Sequence, residues 1–129
     1  MVLTIAMDGP VGAGKSSVAD EVARRLGILH LDTGAMYRAF AWQALKERVD
    51  TRDAQALTAL AARVMPEVRF ENGAQRTLIG GQDVTDFIRT PEISTAASVV
   101  STVPGVRQAM VARQQELAKR QSMLLDGRD

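Results

Sequence analysis

Apolar and polar residues alternate with two different periods over the first thirty positions. Val2–Met7 is a short apolar run that leads into a Gly-Pro segment, which is typical of a buried strand followed by a loop. Over Lys15–Leu26 the apolar residues recur every four positions, which predicts a helix whose C-cap is Gly27. Ile28–Leu31 is a second short apolar run. The order strand, helix, strand predicts a βαβ unit with two parallel strands and a right-handed connection.

The middle of the chain changes character at Pro66. Before it, apolar spacing predicts helices over 35–48 and 53–64. After it, short alternating runs at 68–71, 76–79 and 82–84 are separated by Asn-Gly and Gly-Gly, which are strong signals for hairpin turns. We therefore expect a small antiparallel meander inserted into a parallel α/β core.

The last third predicts two helices and a closing strand. Thr90 is an N-cap residue and Pro91 suits the first helical position. A second helix is predicted from Pro104 to Arg120, with Arg113 on the same side as three apolar residues. The run Met123–Asp126 predicts a strand that ends on an acid.

Composition places limits on the class of protein. With 129 residues, of which 46% are hydrophobic, the chain is long enough for one domain with a buried core. A net charge of +1 does not favour nucleic acid or a membrane as a partner, and the lack of cysteine excludes disulfides and cysteine-ligated zinc. The apolar stretch at the N-terminus is too short for a signal peptide or a membrane span, so a cytoplasmic location is expected.

A phosphate-binding loop is the strongest motif in the chain. Residues 9–16 fit G-x-x-x-x-G-K-[ST] at every fixed position, between a predicted strand and a predicted helix. Glycines let backbone N–H groups surround an anion, and the helix N-terminus favours negative charge. Lys15 would reach the β- and γ-phosphates, and the Ser16 hydroxyl would bind Mg²⁺. The motif predicts a nucleotide site without defining the reaction.

The segment LDTGAMYR, residues 31–38, narrows the reaction. It follows the second predicted strand, so Asp32, Thr33 and Arg38 are expected near the carboxyl edge of the sheet, where open α/β sheets bind ligands. Arg38 could pair with an acceptor phosphate through two parallel hydrogen bonds, although an exposed helical arginine is the alternative. No N-K-x-D segment of a GTPase occurs in the sequence.

Four separated motifs together resemble the bacterial cytidylate kinases, which belong to the nucleoside monophosphate kinases. They are IAMDGPVGAGKSS, LDTGAMYRA, IRTPEISTAASVVSTVPGVRQAMVARQQ and LLDGRD. The resemblance implies an α/β fold of the P-loop type, with three α/β/α layers, a parallel sheet and a small antiparallel acceptor-binding insert. It also implies phosphorylation of CMP or dCMP with ATP and Mg²⁺, by an enzyme that is a monomer when complete.

The resemblance carries roles to particular residues. The ATP phosphates would be held by Gly9, Pro10, Val11, Gly12, Ala13, Gly14, Lys15, Ser16 and Ser17. The acceptor would be bound by Thr33, Tyr37, Arg38, Ser98, Arg107, Arg128 and Asp129, with Lys15, Arg38 and Arg128 as the catalytic cations. Asp126 would steer Mg²⁺ through water, with packing or capping as its alternative. For Ser98 the alternative is close helix packing, His30 is expected in the core or sheet, and Trp42 is expected to pack its helix.

The same resemblance predicts that the chain is divided into three parts. Residues 1–65 would form the first part of the P-loop core, 66–90 the insert, and 91–129 two helices and the third core strand. Relatives continue with further strands and an arginine-rich lid, so we expect the isolated chain to be marginally stable or to associate, and to be a poor catalyst. A small P-loop kinase with another acceptor, and a catalytically inactive nucleotide-binding module, are the alternative functions.

Overall fold

A computed structural model describes residues 4–7 and 15–126, with side chains for residues 4, 5 and 20–125. The chain divides into two compact units, Met1–Gly34 with Gln114–Asp129 and Ala35–Arg113. The elements follow in the order β1 (Thr4–Met7), α1 (Lys15–Leu26), β2 (Leu29–Asp32), α2 (Thr33–Lys46), α3 (Ala54–Arg63), β3 (Glu67–Glu71), β4 (Ala74–Ile79), β5 (Gln82–Asp83), α4 (Pro91–Val100), α5 (Pro104–Arg120) and β6 (Met123–Asp126).

The first unit contains a three-stranded parallel sheet with the order β1-β6-β2. The closing strand of the described chain therefore separates the first two strands, and β1 and β2 are parallel as predicted. Leu124 at the centre of β6 is fully buried and packs with Ala23 of α1, and Ile5, Val22 and Ile28 surround this pair. Burial on both faces suits the middle strand of a parallel sheet.

The second unit contains the antiparallel sheet β3-β4-β5. Its first turn is formed by Asn72 and Gly73, which both have positive φ, and its second by Gly80 and Gly81. The largest fully buried side chains of this unit come from α2, α3, β4, α4, α5 and the segment after β5; they are Phe40, Met36, Leu57, Ile79, Ile88, Met110, Val84, Val100 and Val106. The predicted fold class, a parallel α/β core with a small antiparallel sheet, is confirmed.

The predicted cap of α4 is confirmed, since Thr90 accepts a hydrogen bond from the Ile93 N–H. The predicted helix 53–64 is one residue too long at each end: Asp53 is its N-cap, accepting a hydrogen bond from the Ala56 N–H, and α3 ends at Arg63. Gly27 has a φ of 68° and ends α1, as expected from the sequence. In the same cap the Ile28 N–H donates to the Ala23 carbonyl, so β2 begins one residue later than predicted.

The predicted boundaries of α2 are wrong by two residues at each end. The helix begins at Thr33, directly after β2, and ends at Lys46 rather than Arg48. Arg48 adopts a φ of 57°, and the Val49 N–H donates to the Ala44 carbonyl, which closes the C-terminus without a glycine. Within the described residues, no helix has the length and apolar character needed to cross a bilayer.

Candidate nucleotide-binding site

The carboxyl ends of the three parallel strands lie at one level. Met7, the last residue of β1, pairs with Asp126 at the end of β6, and Asp126 also pairs with Asp32 at the end of β2. Neighbouring strands in a sheet are about 4.8 Å apart. In the sequence, β1 is followed by the P-loop motif, β2 by Thr33 and β6 by the GRD motif.

The P-loop motif falls partly outside the described residues. Its residues Gly9–Gly14 lie there, whereas Lys15, Ser16 and Ser17 form the start of α1. No acidic residue occurs in the first turn of α1, and Arg24 and Arg25 occur in its last turn. This distribution follows the helix dipole, and the first turn of α1 itself contributes no carboxylate that would compete with a bound anion.

Thr33 begins α2 directly after Asp32, so the strand passes into the helix without a loop. Its side chain is buried, with 3% of the residue exposed. Buried hydroxyl groups in proteins usually have hydrogen-bonding partners. Thr33 follows this rule, since it takes part in a polar or electrostatic interaction in this structure. Asp126 ends β6 as predicted, and its side chain, like Arg128 and Asp129, lies outside the described part of the chain.

In the second unit, Tyr37 and Arg107 lie close enough to interact electrostatically. Burial raises the pKa of the Tyr37 phenol, and the positive charge of Arg107 partly opposes this shift. Tyr37 is on the first turns of α2 and Arg107 is on the first turn of α5. The charge of Arg107, an exposed residue, thus reaches the half-buried Tyr37, and the sequence assigns both residues to the acceptor site.

The other two predicted acceptor residues of this unit have different surroundings. Arg38 is half-buried and its Nε atom is inaccessible to solvent, so the alternative of a simple exposed arginine is wrong. Ser98 is exposed, and its hydroxyl donates to the Ser94 carbonyl in the preceding turn of α4 at 3.2 Å. Ser98 therefore does not fill a tightly packed helix contact, and its role remains a prediction.

Comparison with known proteins decides the family. The sequence model of the family described as "Cytidylate kinase" matches residues 5–129. The chain belongs to the cytidylate kinase family. It is 46% identical over 127 residues to a cytidylate kinase of Solibacter usitatus, and 49% identical over 128 residues to one of Symbiobacterium thermophilum.

These matches cover 98% of this chain but 53% and 57% of the two relatives. The chain thus spans about half the length of these cytidylate kinases. A bifunctional pantoate ligase/cytidylate kinase of Gloeobacter violaceus is 45% identical over 130 residues, which cover 97% of this chain and 25% of that protein. The same segment therefore also occurs within a larger polypeptide.

Arg113 is a half-buried cation to which no role was assigned from sequence. Arg113 lies on α5, and its Nε atom is inaccessible to solvent. The only sequence signal was its spacing, which places it on the helix face of Val106 and Met110, both fully buried. Charged residues seldom occupy a helix face whose other residues are fully buried.

The single histidine of the chain is mostly buried, as expected for a core or sheet residue. His30 Nδ1 is hydrogen-bonded to Asp20 Oδ1 on α1, and the His30 side chain is 15% exposed. Trp42 is half-buried and lies beneath Lys46, whose Nζ atom is 5.0 Å from the ring centroid. Trp42 therefore combines helix packing with a cation–π contact.

Proposed function

We propose that the protein transfers the γ-phosphoryl group of ATP to CMP or dCMP and yields ADP with CDP or dCDP. Membership of the cytidylate kinase family supports this function. The structural observation that supports it most is the common level of Met7, Asp126 and Asp32 at the carboxyl edge of the parallel sheet. In the sequence, the P-loop motif, Thr33 and the GRD motif follow the strands that end at this edge, which is where open α/β sheets bind nucleotides.

On the donor side, residues Gly9–Ser17 would hold the ATP phosphates. Backbone N–H groups at the start of α1 favour an anion, and the helix has no acidic residue in its first turn. Lys15 would neutralise charge on the β- and γ-phosphates, and Ser16 would hold Mg²⁺, with Asp126 acting through water. Mg²⁺ would supply further neutralisation of the charge that moves during transfer.

On the acceptor side, Arg38 and Arg128 would hold the CMP phosphate and orient its oxygen for attack on the γ-phosphorus. As the new P–O bond forms, the bond between the γ-phosphorus and the β–γ bridging oxygen breaks, and ADP leaves. A planar guanidinium matches phosphate by two parallel hydrogen bonds. Thr33 and Tyr37 would each contribute to acceptor binding, and burial raises the pKa of the Tyr37 phenol.

Recognition of cytosine would be shared by Ser98, Arg107 and Asp129. A carboxylate accepts a hydrogen bond from the cytosine N4 amino group, which uracil lacks. A site that pairs its buried polar groups with one base rejects other bases, because those groups would remain unsatisfied. Arg107 occupies the first turn of a helix, where the dipole disfavours a cation, and ligand binding would compensate for this.

The proposed partners are small molecules, and we further propose that the complete enzyme acts as a monomer in the cytoplasm. These two points rest on the resemblance to bacterial cytidylate kinases. Sedimentation of the purified protein with and without nucleotides tests whether the enzyme is a monomer, since a monomer keeps one sedimentation coefficient across a range of protein concentrations.

The deciding experiment measures ADP formation by the longest form of the protein that can be produced, with ATP, Mg²⁺ and each of CMP, dCMP, UMP, AMP and GMP. We expect transfer to CMP and dCMP at the highest kcat/KM. Preference for UMP or AMP would contradict the cytosine assignment and favour another small P-loop kinase. Binding of CMP and ATP without transfer would favour the catalytically inactive module.

Asp129→Ala tests the proposed recognition of the base. Loss of one good hydrogen-bonding pair to a base edge lowers discrimination by about 1–3 kcal/mol. We expect kcat/KM for CMP to fall towards the value for UMP, while the KM for ATP stays unchanged. An unaltered ratio of CMP to UMP would remove Asp129 from the base site.

A further inference from the structure

The first turn of α5 lies very close to α3, and Gly105 makes this approach possible. A Cβ atom at position 105 would lie 2.4 Å from Thr58 Oγ1, 2.5 Å from Thr58 Cγ2 and 2.9 Å from Thr58 Cβ. These separations are well inside the ordinary contact distance of carbon atoms, about 3.5–4.0 Å. Any side chain at position 105 therefore requires one of the two helices to move.

Rotation of Thr58 does not relieve this overlap. Threonine carries two heavy atoms on Cβ, so its χ1 angle is restricted in a helix. The Thr58 hydroxyl also donates to the Ala54 carbonyl at 2.8 Å, which fixes the side chain against its own helix. The Thr58 Cβ itself would remain in close contact in every rotamer, because its position is set by the backbone of α3.

A displacement at Gly105 is transmitted directly to Arg107. Both residues are in the first turn of α5, where the Arg107 N–H donates to the Val103 carbonyl at 3.0 Å. Val106, which lies between them, is fully buried. The turn therefore moves as a unit, and with it the guanidinium whose charge acts on Tyr37.

We propose that Gly105 is a positioning residue of the acceptor site: its lack of a side chain seats the first turn of α5 against Thr58 and thereby holds Arg107 beside Tyr37. The functional part of this inference rests on the proposed binding of CMP. Gly105 does not touch the nucleotide in this proposal and acts through Arg107.

Two explanations of Gly105 predict opposite effects of Gly105→Ala on the melting temperature, so this variant distinguishes them. If position 105 were an ordinary helical position, alanine would stabilise the protein, because glycine is the poorer helix former. If the contact with Thr58 controls the seating of α5, alanine lowers the melting temperature and separates Arg107 from Tyr37. The sign of the change thus distinguishes the two explanations.

The chain provides a specific spectroscopic reporter of this separation. Tyr37 is its only tyrosine, so the alkaline titration of phenol absorbance in the 129-residue chain reports one group. Because the Arg107 charge lowers the Tyr37 pKa, Gly105→Ala should raise the titration midpoint in the same direction as Arg107→Ala. Gln108→Ala, which changes an exposed residue of the same helix, should leave the midpoint unchanged.

The experiment compares Gly105→Ala, Thr58→Ala and the double variant in three measurements: melting temperature, Tyr37 titration and CMP affinity by calorimetry. We expect Gly105→Ala to bind CMP about 10-fold more weakly, since small misplacements of a positioned group have effects of this order or larger. Thr58→Ala removes the two nearest atoms but keeps the Cβ atom of residue 58 at 2.9 Å, so the double variant should recover only part of the melting temperature, midpoint and affinity that Gly105→Ala loses.

The inference is overturned if Gly105→Ala raises the melting temperature and leaves both the midpoint and the affinity unchanged. If Gly105→Ala fails to fold, recovery of folding in the double variant supports the inference, and failure of the double variant overturns it. If the wild-type chain does not bind CMP, the proposed function fails, whereas the melting temperatures and the Tyr37 titration still decide whether Gly105 positions Arg107.

Discussion

The two sheets of this protein are built from residues at very different separations in sequence. In the parallel sheet, Thr4 pairs with Met123, and β6 also pairs with β2. The antiparallel sheet is completed within residues 67–83, and its strands are joined by two-residue turns. One sheet depends on long-range assembly, whereas the other depends on local turn geometry.

The interactions that stabilise the two sheets differ accordingly. Leu31, Met123 and Leu124 of the parallel sheet are fully buried. In the antiparallel sheet, Asp83 accepts hydrogen bonds from the Arg76 guanidinium at 2.9 Å and from the Thr85 N–H at 3.0 Å. Apolar burial thus dominates the first sheet, while turns and a polar network contribute strongly to the second. Substitutions in the two sheets should therefore differ in how much they lower the free energy of unfolding and in how that loss depends on pH.

The largest expected effect concerns the function assigned to the edge of the parallel sheet. If the proposed function is correct, Lys15→Ala should lower kcat for transfer from ATP by about 100-fold or more, because it removes the cation proposed to stabilise the transferring charge. Alanine favours the helix, so the melting temperature should not fall. Lys119→Ala, in an exposed part of α5, is the control and should retain full kcat in the ADP-release assay. A Lys15→Ala enzyme of normal kcat would exclude the assigned role.

The next effect tests the apolar burial of the parallel sheet. Leu124→Ala should lower the free energy of unfolding by about 2–5 kcal/mol, because it removes a fully buried side chain from the middle strand. Leu26→Ala is the matched control, since Leu26 is 50% exposed, and its cost should stay within about 0.5 kcal/mol. Urea unfolding followed by circular dichroism measures both. Equal costs for the two leucines would contradict the packing of β6.

A smaller effect is expected at the first turn of the antiparallel sheet. Gly73 has a φ of 79° with open space around the position of a Cβ atom, so the cost of a side chain there is purely conformational. Gly73→Ala should lower the free energy of unfolding by about 1–2 kcal/mol. Gly73→Asn should cost less, because asparagine tolerates the left-handed region. Identical unfolding curves for the alanine and asparagine variants would argue against this turn conformation.

The smallest effect, and the only one with a pH signature, concerns Asp83. Hydrogen bonding from Thr85, and then from Arg76, lowers its pKa from 3.8 to about 2. Because the pKa of Asp83 is lower in the folded state, its ionised carboxylate stabilises the protein at any pH above the ordinary pKa of 3.8. This stabilisation disappears as the pH falls towards 2. Because the Asp83 side chain is partly exposed, we expect Asp83→Asn to cost about 1 kcal/mol at neutral pH.

The pH dependence of that cost is the sharper measurement. The difference in unfolding free energy between wild type and Asp83→Asn should shrink as pH falls from 5 to about 2. Asp86→Asn serves as the control, since Asp86 is 75% exposed and its contact with Arg76 is longer, at 3.4 Å. A cost of Asp83→Asn that does not change with pH would mean that the carboxylate charge does not contribute.

The sequence correctly predicted those helix ends and turns that depend on hydrogen bonds between neighbouring residues. The bounds of α1 and α5 agree with the sequence prediction, and Thr90 caps α4 as predicted. Asn72-Gly73 forms the predicted hairpin turn. Each of these features depends on hydrogen bonds within a few residues, which the local sequence largely specifies.

The end of α2 shows where such rules fail. Arg48 occupies a left-handed conformation that glycine or asparagine usually adopts, so no residue type marked the boundary. In the same region Gln43 donates to Glu47 within one helical turn, and Arg63 of α3, 16 residues further along the chain, donates to the same carboxylate. The contact with Arg63 is remote in sequence, so the local pattern of α2 does not contain it.

The sequence by itself determined the family, the P-loop motif and the identities of the candidate site residues, because these depend on residue types at fixed spacing. Only the tertiary structure decided that β6 lies between β1 and β2, that the charge of Arg107 acts on Tyr37, and that Gly105 approaches Thr58. Strand order and helix approach result from burying apolar surface between segments that are distant in sequence, and no local pattern encodes which segments meet.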